Sequence, residues 1–286
     1  MYVRRYATTD NRLGRHVRHD PRSLRYAHPV LPRTAIRAVQ WQRRIPIFDQ
    51  GALGSCTGNA LAGVLGTDSV DRVGTSSVSV KADPYGVFAA GTYTLNESFA
   101  VRLYSLNTRV DSFAGTYPPQ DTGSNGLASV KAAQSLGLLS GYTHAFSVAA
   151  LQTALMSGPV LWGTLWLQSM FETDSSGFVR VDPSSGSAGG HQLVISGYDP
   201  ARDVYTVQNS WGLGWGNNGF GRVQGSDMAW LLSQDGDLTV PVYATATPEP
   251  TEVVSPPPLV VEPAADADKT LFDAFTAWVK AKGYDV

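Results

Sequence analysis

The sequence predicts an α+β fold with its helices early and its strands late, and three observations carry that prediction. Ala/Leu-rich runs with helical spacing lie between residues 56 and 157. After Pro159 the period changes to short β-branched or aromatic runs bounded by Gly, Asp or Pro. Helices and strands are therefore segregated rather than alternating as βαβ units. The chain of 286 residues, 43% hydrophobic, is long enough to bury one large core or two modest ones.

The elements follow in order. Residues 1–48 read as an extended arm punctuated by Pro21, Pro29 and Pro32, with Leu24, Tyr26, Val30 and Leu31 suited to a surface. A Gly-containing loop over 51–54 precedes a helix beginning at Cys56. Residues 67–92, rich in Ser, Gly and Val, read as an exposed loop or insertion. Phe99–Val110 has helical spacing. The turn cluster 121–126 places Ser124 or Asn125 to cap LASVKAAQSLG, which ends at Gly137. A short helix over Val148–Ser157 is closed by Gly158-Pro159, and strand-like runs open at 159, 191, 203 and 219. Residues 245–268 hold six of the 17 prolines and read as an extended linker. Beyond it, 269–286 read as an amphipathic helix with Leu271, Phe275, Trp278 and Val279 on one face. Such a helix is expected to dock on its own body or on a second copy, or to tether the chain to another protein or to a membrane surface.

Charge and composition narrow the function. Residues 1–44 carry 11 arginines against Asp10 and Asp20, and the rest of the chain is net acidic. That polarity fits either phosphate binding or an arm paired with its own acidic body. The arm lacks a nucleic-acid-binding motif, so self-packing is the stronger reading and no nucleic-acid partner is expected. No apolar stretch is long enough for a transmembrane segment, and no apolar run follows the basic start as in a secretory signal. One cysteine excludes an internal disulfide and any cysteine-rich metal site. His16, His19 and His28 with Asp20 have no ligand-like spacing, and no P-loop or carboxylate pair emerges. No cofactor or metal is expected. A cytoplasmic location, or virion and host cytoplasm, fits the lone thiol.

Three local features carry the chemistry. DQGALGSC ends in Cys56 at a helix start, Gly190-His191 opens a strand, and Asn209-Ser210-Trp211 follows one. A thiol nucleophile needs help to ionise, and both a helix N-terminus and a nearby imidazolium favour the thiolate. His191 is the candidate imidazole and Asn209 its orienting amide. Gln50, six residues before Cys56, can supply an oxyanion donor beside the Cys56 N–H. Trp211 can shield the Asn–His hydrogen bond. His191 lies 135 residues after Cys56, and Asn209 lies 153 after it. His144, six residues after its nearest turn, reads as solvent-facing.

On these residues the chain resembles the papain-like cysteine peptidases, particularly non-secreted prokaryotic and viral members. DQGALGSC looks like the family's Gln-to-Cys box, and Pro159-Val160, GHQLVISGYD and NSWGLGWGNNGFGRV follow in family order. The resemblance implies a two-lobed fold with an active-site cleft between a helical lobe (49–146) and a twisted antiparallel β lobe (147–244), the arm of 1–48 packing on the latter. It implies Cys56 as nucleophile, His191 as base and acid, Asn209 as orienter and Gln50 as oxyanion donor, acting on a peptide or protein substrate. Asn125, Gly126, Gly190 and Trp211 are the implied substrate-binding positions. Thr57-Gly58-Asn59 replaces the aromatic residue usual after the cysteine. Two other readings share these motifs: a silent scaffold or assembly protein, and a thiol amidase or transpeptidase acting on cell-wall peptides.

Overall fold

The computed structural model describes residues 1–244. The linker expected over 245–268 and the helix expected over 269–286 lie outside the described residues. The arm opens with β1 (Tyr2–Arg4), paired antiparallel with β2 (Val17–His19). Further along it, β3 (Val39–Gln40) joins the main sheet. Then come α1 (Cys56–Leu65), a hairpin of β4 (Ser77–Val80) and β5 (Gly91–Thr94), α2 (Glu97–Val110) and α3 (Gly126–Ser135). The second half contains β6 (Leu139–His144), α4 (Val148–Leu155), β7 (Val160–Leu167), β8 (Ser187–Asp199), β9 (Val204–Gln208), β10 (Phe220–Gln224), α5 (Gly225–Ser233) and β11 (Asp237–Tyr243).

Two separate apolar cores make the two lobes. Leu61, Val64, Phe99, Leu103, Leu106 and Val130 centre the core of α1, α2 and α3. Trp162, Trp166, Ile195, Tyr205, Val207 and Leu231 centre the core of the sheet. The sheet has seven strands in the order β10-β9-β8-β7-β11-β6, with β3 against β8. Helix α1 has no exposed face, all ten of its residues being buried. It lies so close to α2 that a Cβ at Gly58 would come 2.2 Å from the Ala100 carbonyl oxygen. The small residues after Cys56 thus let two helices approach, where a bulky side chain would force them apart.

Local chemistry sets the helix ends. Asn96, Asn125 and Ser147 cap α2, α3 and α4, each accepting the N–H three residues on. Gly137, at φ +77°, turns the chain after α3.

The structure departs from the sequence reading in three places. The segment 67–92 contains β4 and the start of β5, whose two-residue alternation is masked by Ser and Gly. Strand β6 belongs to the large sheet, although it precedes the helix-to-strand change, because β11 arrives from far along the chain to pair with it. His144 on β6 is buried rather than solvent-facing: the arm covers it, with the His28 N–H donating to its carbonyl at 2.8 Å.

The arm packs on the sheet and also crosses to the helical lobe. Leu13 belongs to the sheet core, and the Trp41 indole N–H donates to the Leu155 carbonyl at 2.8 Å. Arg4 pairs with Asp235, Arg15 with Asp237 and Arg44 with Asp68, joining the basic segment to the acidic body.

Candidate active site

Cys56 is the first residue of α1, and its side chain is fully buried. Backbone N–H groups of Gly14, Gln192 and Thr57 approach its sulfur. Since Gln192 follows His191 on β8, the strand that carries the imidazole passes the thiol. The His191 ring donates from Nε2 to Asn209 Oδ1 at 2.7 Å, while its Nδ1 is buried with no hydrogen-bond partner. That arrangement leaves the Nδ1 lone pair available for a thiol proton.

Aromatic rings close the far side. Trp211 stacks on His191 with centroids 4.6 Å apart and planes 29° apart, and Trp166 meets the imidazole edge-on at 4.9 Å. Trp211 therefore covers the imidazole that Asn209 holds.

Gln50 sits on the loop before α1. Its Oε1 accepts from Ser210 Oγ at 2.6 Å, which aims the amide nitrogen away from Ser210. The nitrogen donates to the Leu53 carbonyl at 2.7 Å and to the Arg12 carbonyl at 3.0 Å. The Ser210 N–H in turn donates to Asn209 Oδ1 at 2.8 Å. Ser210 therefore ties the oxyanion candidate to the histidine orienter. Sequence reasoning missed it, although it stands between Asn209 and Trp211 in the same motif.

Residues 12–16 of the arm cross the site. The Arg12 carbonyl takes Gln50's amide, the Gly14 N–H faces the Cys56 sulfur, and the Arg15 N–H donates to the Gly190 carbonyl at 3.0 Å. On the helical side the Ser124 N–H donates to the Gly14 carbonyl, and the His16 N–H to the Ser124 carbonyl, both at 2.7 Å. Of the expected substrate-binding positions, Gly190 pairs with this segment directly. Asn125 is occupied in capping α3 and Gly126 is the first residue of that helix, so Ser124 makes the backbone pairing beside them. Gly14 has no alternative residue here: a Cβ on it would fall 1.8 Å from the Gly54 carbonyl oxygen.

Covering the site changes its electrostatics. Burial pushes the Cys56 thiol up to about 11, against the modest help of the N–H groups around it. Burial likewise pulls His191 down to about 4, with the Arg12 cation adding to the effect and the Asn209 hydrogen bond opposing it. The helix start and imidazole were expected to favour a thiolate. In this arm-covered state desolvation wins, and thiol and imidazole are both neutral at pH 7.

Residues 110–234 match the model of the papain family cysteine protease, and the fold is papain-like. The crystal structure of xylellain, a cysteine protease from Xylella fastidiosa, superposes with a TM-score of 0.60 over 86% of this chain and all of that one. At 16% identity that likeness is one of fold. Digestive procathepsin L 3 of Tenebrio molitor aligns at a TM-score of 0.45 and 19% identity, over 76% of this chain and 74% of that one. In sequence, the gamete and mating-type specific protein A of Dictyostelium discoideum is 27% identical over 196 residues, 66% of this chain. The match spans 42% of that protein's length.

Proposed function

We propose that this chain is a cysteine peptidase hydrolysing peptide bonds through Cys56, His191 and Asn209, and that the structure is its arm-covered resting form. One observation carries the reading: His191 is held by Asn209 through Nε2 and keeps Nδ1 buried and unpartnered, on the strand whose Gln192 N–H approaches the helix-start cysteine. A structural histidine in an apolar setting is expected to have both ring nitrogens satisfied.

With the arm displaced and a peptide in its place, the Cys56 thiol proton passes to His191 Nδ1 and the sulfur attacks the scissile carbonyl carbon. The oxygen that becomes negative is met by the Gln50 amide and the Cys56 N–H, the amide being the donor the Arg12 carbonyl now occupies. His191 returns the proton to the departing amine, leaving an acyl thioester. It then removes a proton from water, whose oxygen attacks the thioester and frees the acid and the thiol. Asn209 keeps the ring in register throughout, and Ser210 keeps the Gln50 nitrogen facing the carbonyl.

The test is turnover of an unfolded, dye-labelled protein by a chain whose arm has been dislodged by Gly14→Ala. Release of dye that disappears in the Cys56→Ala form of that variant supports the reading. A folded variant with a freely alkylated Cys56 but no turnover above Cys56→Ala refutes it and favours the scaffold alternative.

A further inference from the structure

We infer that the recess closed by Asp237 and the Asp235 carbonyl is an arginine-selecting substrate pocket, occupied here by the chain's own Arg15. The inference rests on the peptidase reading and names the substrate class of the same cleft. The Arg15 side chain is fully buried. Its Nη2 donates to the Asp235 carbonyl at 2.6 Å, and both Nε, at 3.2 Å, and Nη2 donate to Asp237 Oδ2.

The body makes these walls. The register of β11 on β7 sets Asp237 opposite Gly163, and α3 begins with Gly126 on the other side. A Cβ at Gly163 would lie 2.5 Å from Asp237 Oδ2 and 2.7 Å from Arg15 Nε. A Cβ at Gly126 would lie 3.0 Å from Asp237 Oδ1. Both glycines leave room for a planar guanidinium at a carboxylate.

The bonds on either side of Arg15 are main-chain bonds, to Gly190 and Ser124, which any extended peptide can make. Leu13 in the sheet core and Arg12 over the Trp211 ring add side-chain contacts of their own, and Arg15 contributes the side chain in the pocket. It lies a single residue from Gly14, whose N–H faces the nucleophile. Without Arg15, the Asp237 carboxylate loses the guanidinium bonded to it. A substrate guanidinium restores the pair, with a fork geometry that an ammonium lacks.

The experiment uses the full chain carrying Arg15→Ala, which vacates the pocket. Peptides in which one arginine is moved through the residues preceding the scissile bond are compared with the same peptides carrying citrulline, of equal shape and no charge. At the best position kcat/KM should favour arginine by about 10–100-fold, the usual range for a charge-assisted hydrogen bond. Adding Asp237→Asn should bring the ratio to about one. Binding of Nα-acetylarginine methylamide to the Arg15→Ala chain, by calorimetry, tests the pocket without turnover. Binding that vanishes with Asp237→Asn and with the citrulline analogue supports it, even if no peptide is cleaved and the peptidase reading fails. Equal handling of arginine and citrulline overturns it. Should Arg15→Ala not fold, Asp237→Asn alone decides: loss of the arm's anchor should speed Cys56 alkylation at least tenfold, and an unchanged rate in a folded protein overturns the inference.

Discussion

Replacing Gly14 by alanine should uncover the site. A Cβ there would fall 1.8 Å from the Gly54 carbonyl oxygen and 2.5 Å from its carbon. Both are backbone atoms of the loop that leads into α1, so the arm must give way. Its departure removes the Arg12 carbonyl from Gln50 and the Gly14 pairing from Ser124. Water then reaches a thiol that burial holds at about 11, against an ordinary 9.0. At pH 7 the thiolate fraction is about 10⁻⁴ in the first case and about 10⁻² in the second. Ionisation alone therefore predicts alkylation about 100-fold faster in Gly14→Ala than in the parent, and contact with a rehydrated His191 adds to that. The assay is iodoacetamide labelling followed by intact mass; with one cysteine in the chain the adduct is unambiguous. The parent's rate should climb only towards pH 11, whereas the variant's should already be high near neutrality. Near-ultraviolet circular dichroism of the tryptophans checks that the variant is folded. A folded Gly14→Ala protein labelling at the parental rate would refute both the covering role of the arm and the burial argument.

Four further outcomes follow from the geometry. In an arm-released background, Gln50→Ala should lower kcat by about 10²–10³-fold with little change in KM, as loss of a transition-state donor does, which peptide kinetics will show. Ser210→Ala, which frees the Gln50 amide to rotate, should lower kcat by a smaller factor, about tenfold, and Ser210→Thr should recover part of it. Gly58→Ala should cost about 1–3 kcal/mol in chemical denaturation, because the added methyl meets the α2 backbone. The fourth concerns pH. Burial is the largest cause lowering His16, His19, His28, His144 and His191, the last to about 4, so the folded state binds these protons less readily than the unfolded chain does. Their contribution to stability is whole above about 6.5 and is lost as pH falls towards 4, with His191 alone worth about 3 kcal/mol. Asp111, raised by burial to about 6, works the other way, losing its contribution as pH rises from 3.8 through 6. Asp227, also raised by burial, acts with Asp111, but five histidines outweigh two carboxyls, so thermal melts should show Tm falling from pH 7 to pH 4; a flat profile would contradict the burial assigned to them.

Much of the site was legible because its chemistry sits in short contiguous motifs. Cys56 at a helix start, His191 on a strand and Asn209-Ser210-Trp211 after a strand can each be read from neighbouring residues, although the strand of His191 opens earlier than expected, at Ser187. The caps Asn125 and Ser147, the turn at Gly137 and the β-branched runs of β7, β8 and β9 were local in the same way. What could not be read depended on residues far apart. The carbonyl held by Gln50 comes from Arg12, 38 positions away, and the carboxylate that holds Arg15 lies 222 positions along the chain. His144 looked exposed because nothing in its own strand shows that the arm will lie over it.

By itself, then, the sequence determined which groups are present for thiol chemistry, the order in which they occur, and the helix, strand and turn preferences that carry them. The tertiary structure decided the state of those groups. Protonation depends on burial and on neighbouring charges, and here both are supplied by a distant segment packed across the cleft. The same Cys56 and His191 that favour an ion pair at an open helix start are neutral beneath Arg12, Gly14 and Arg15.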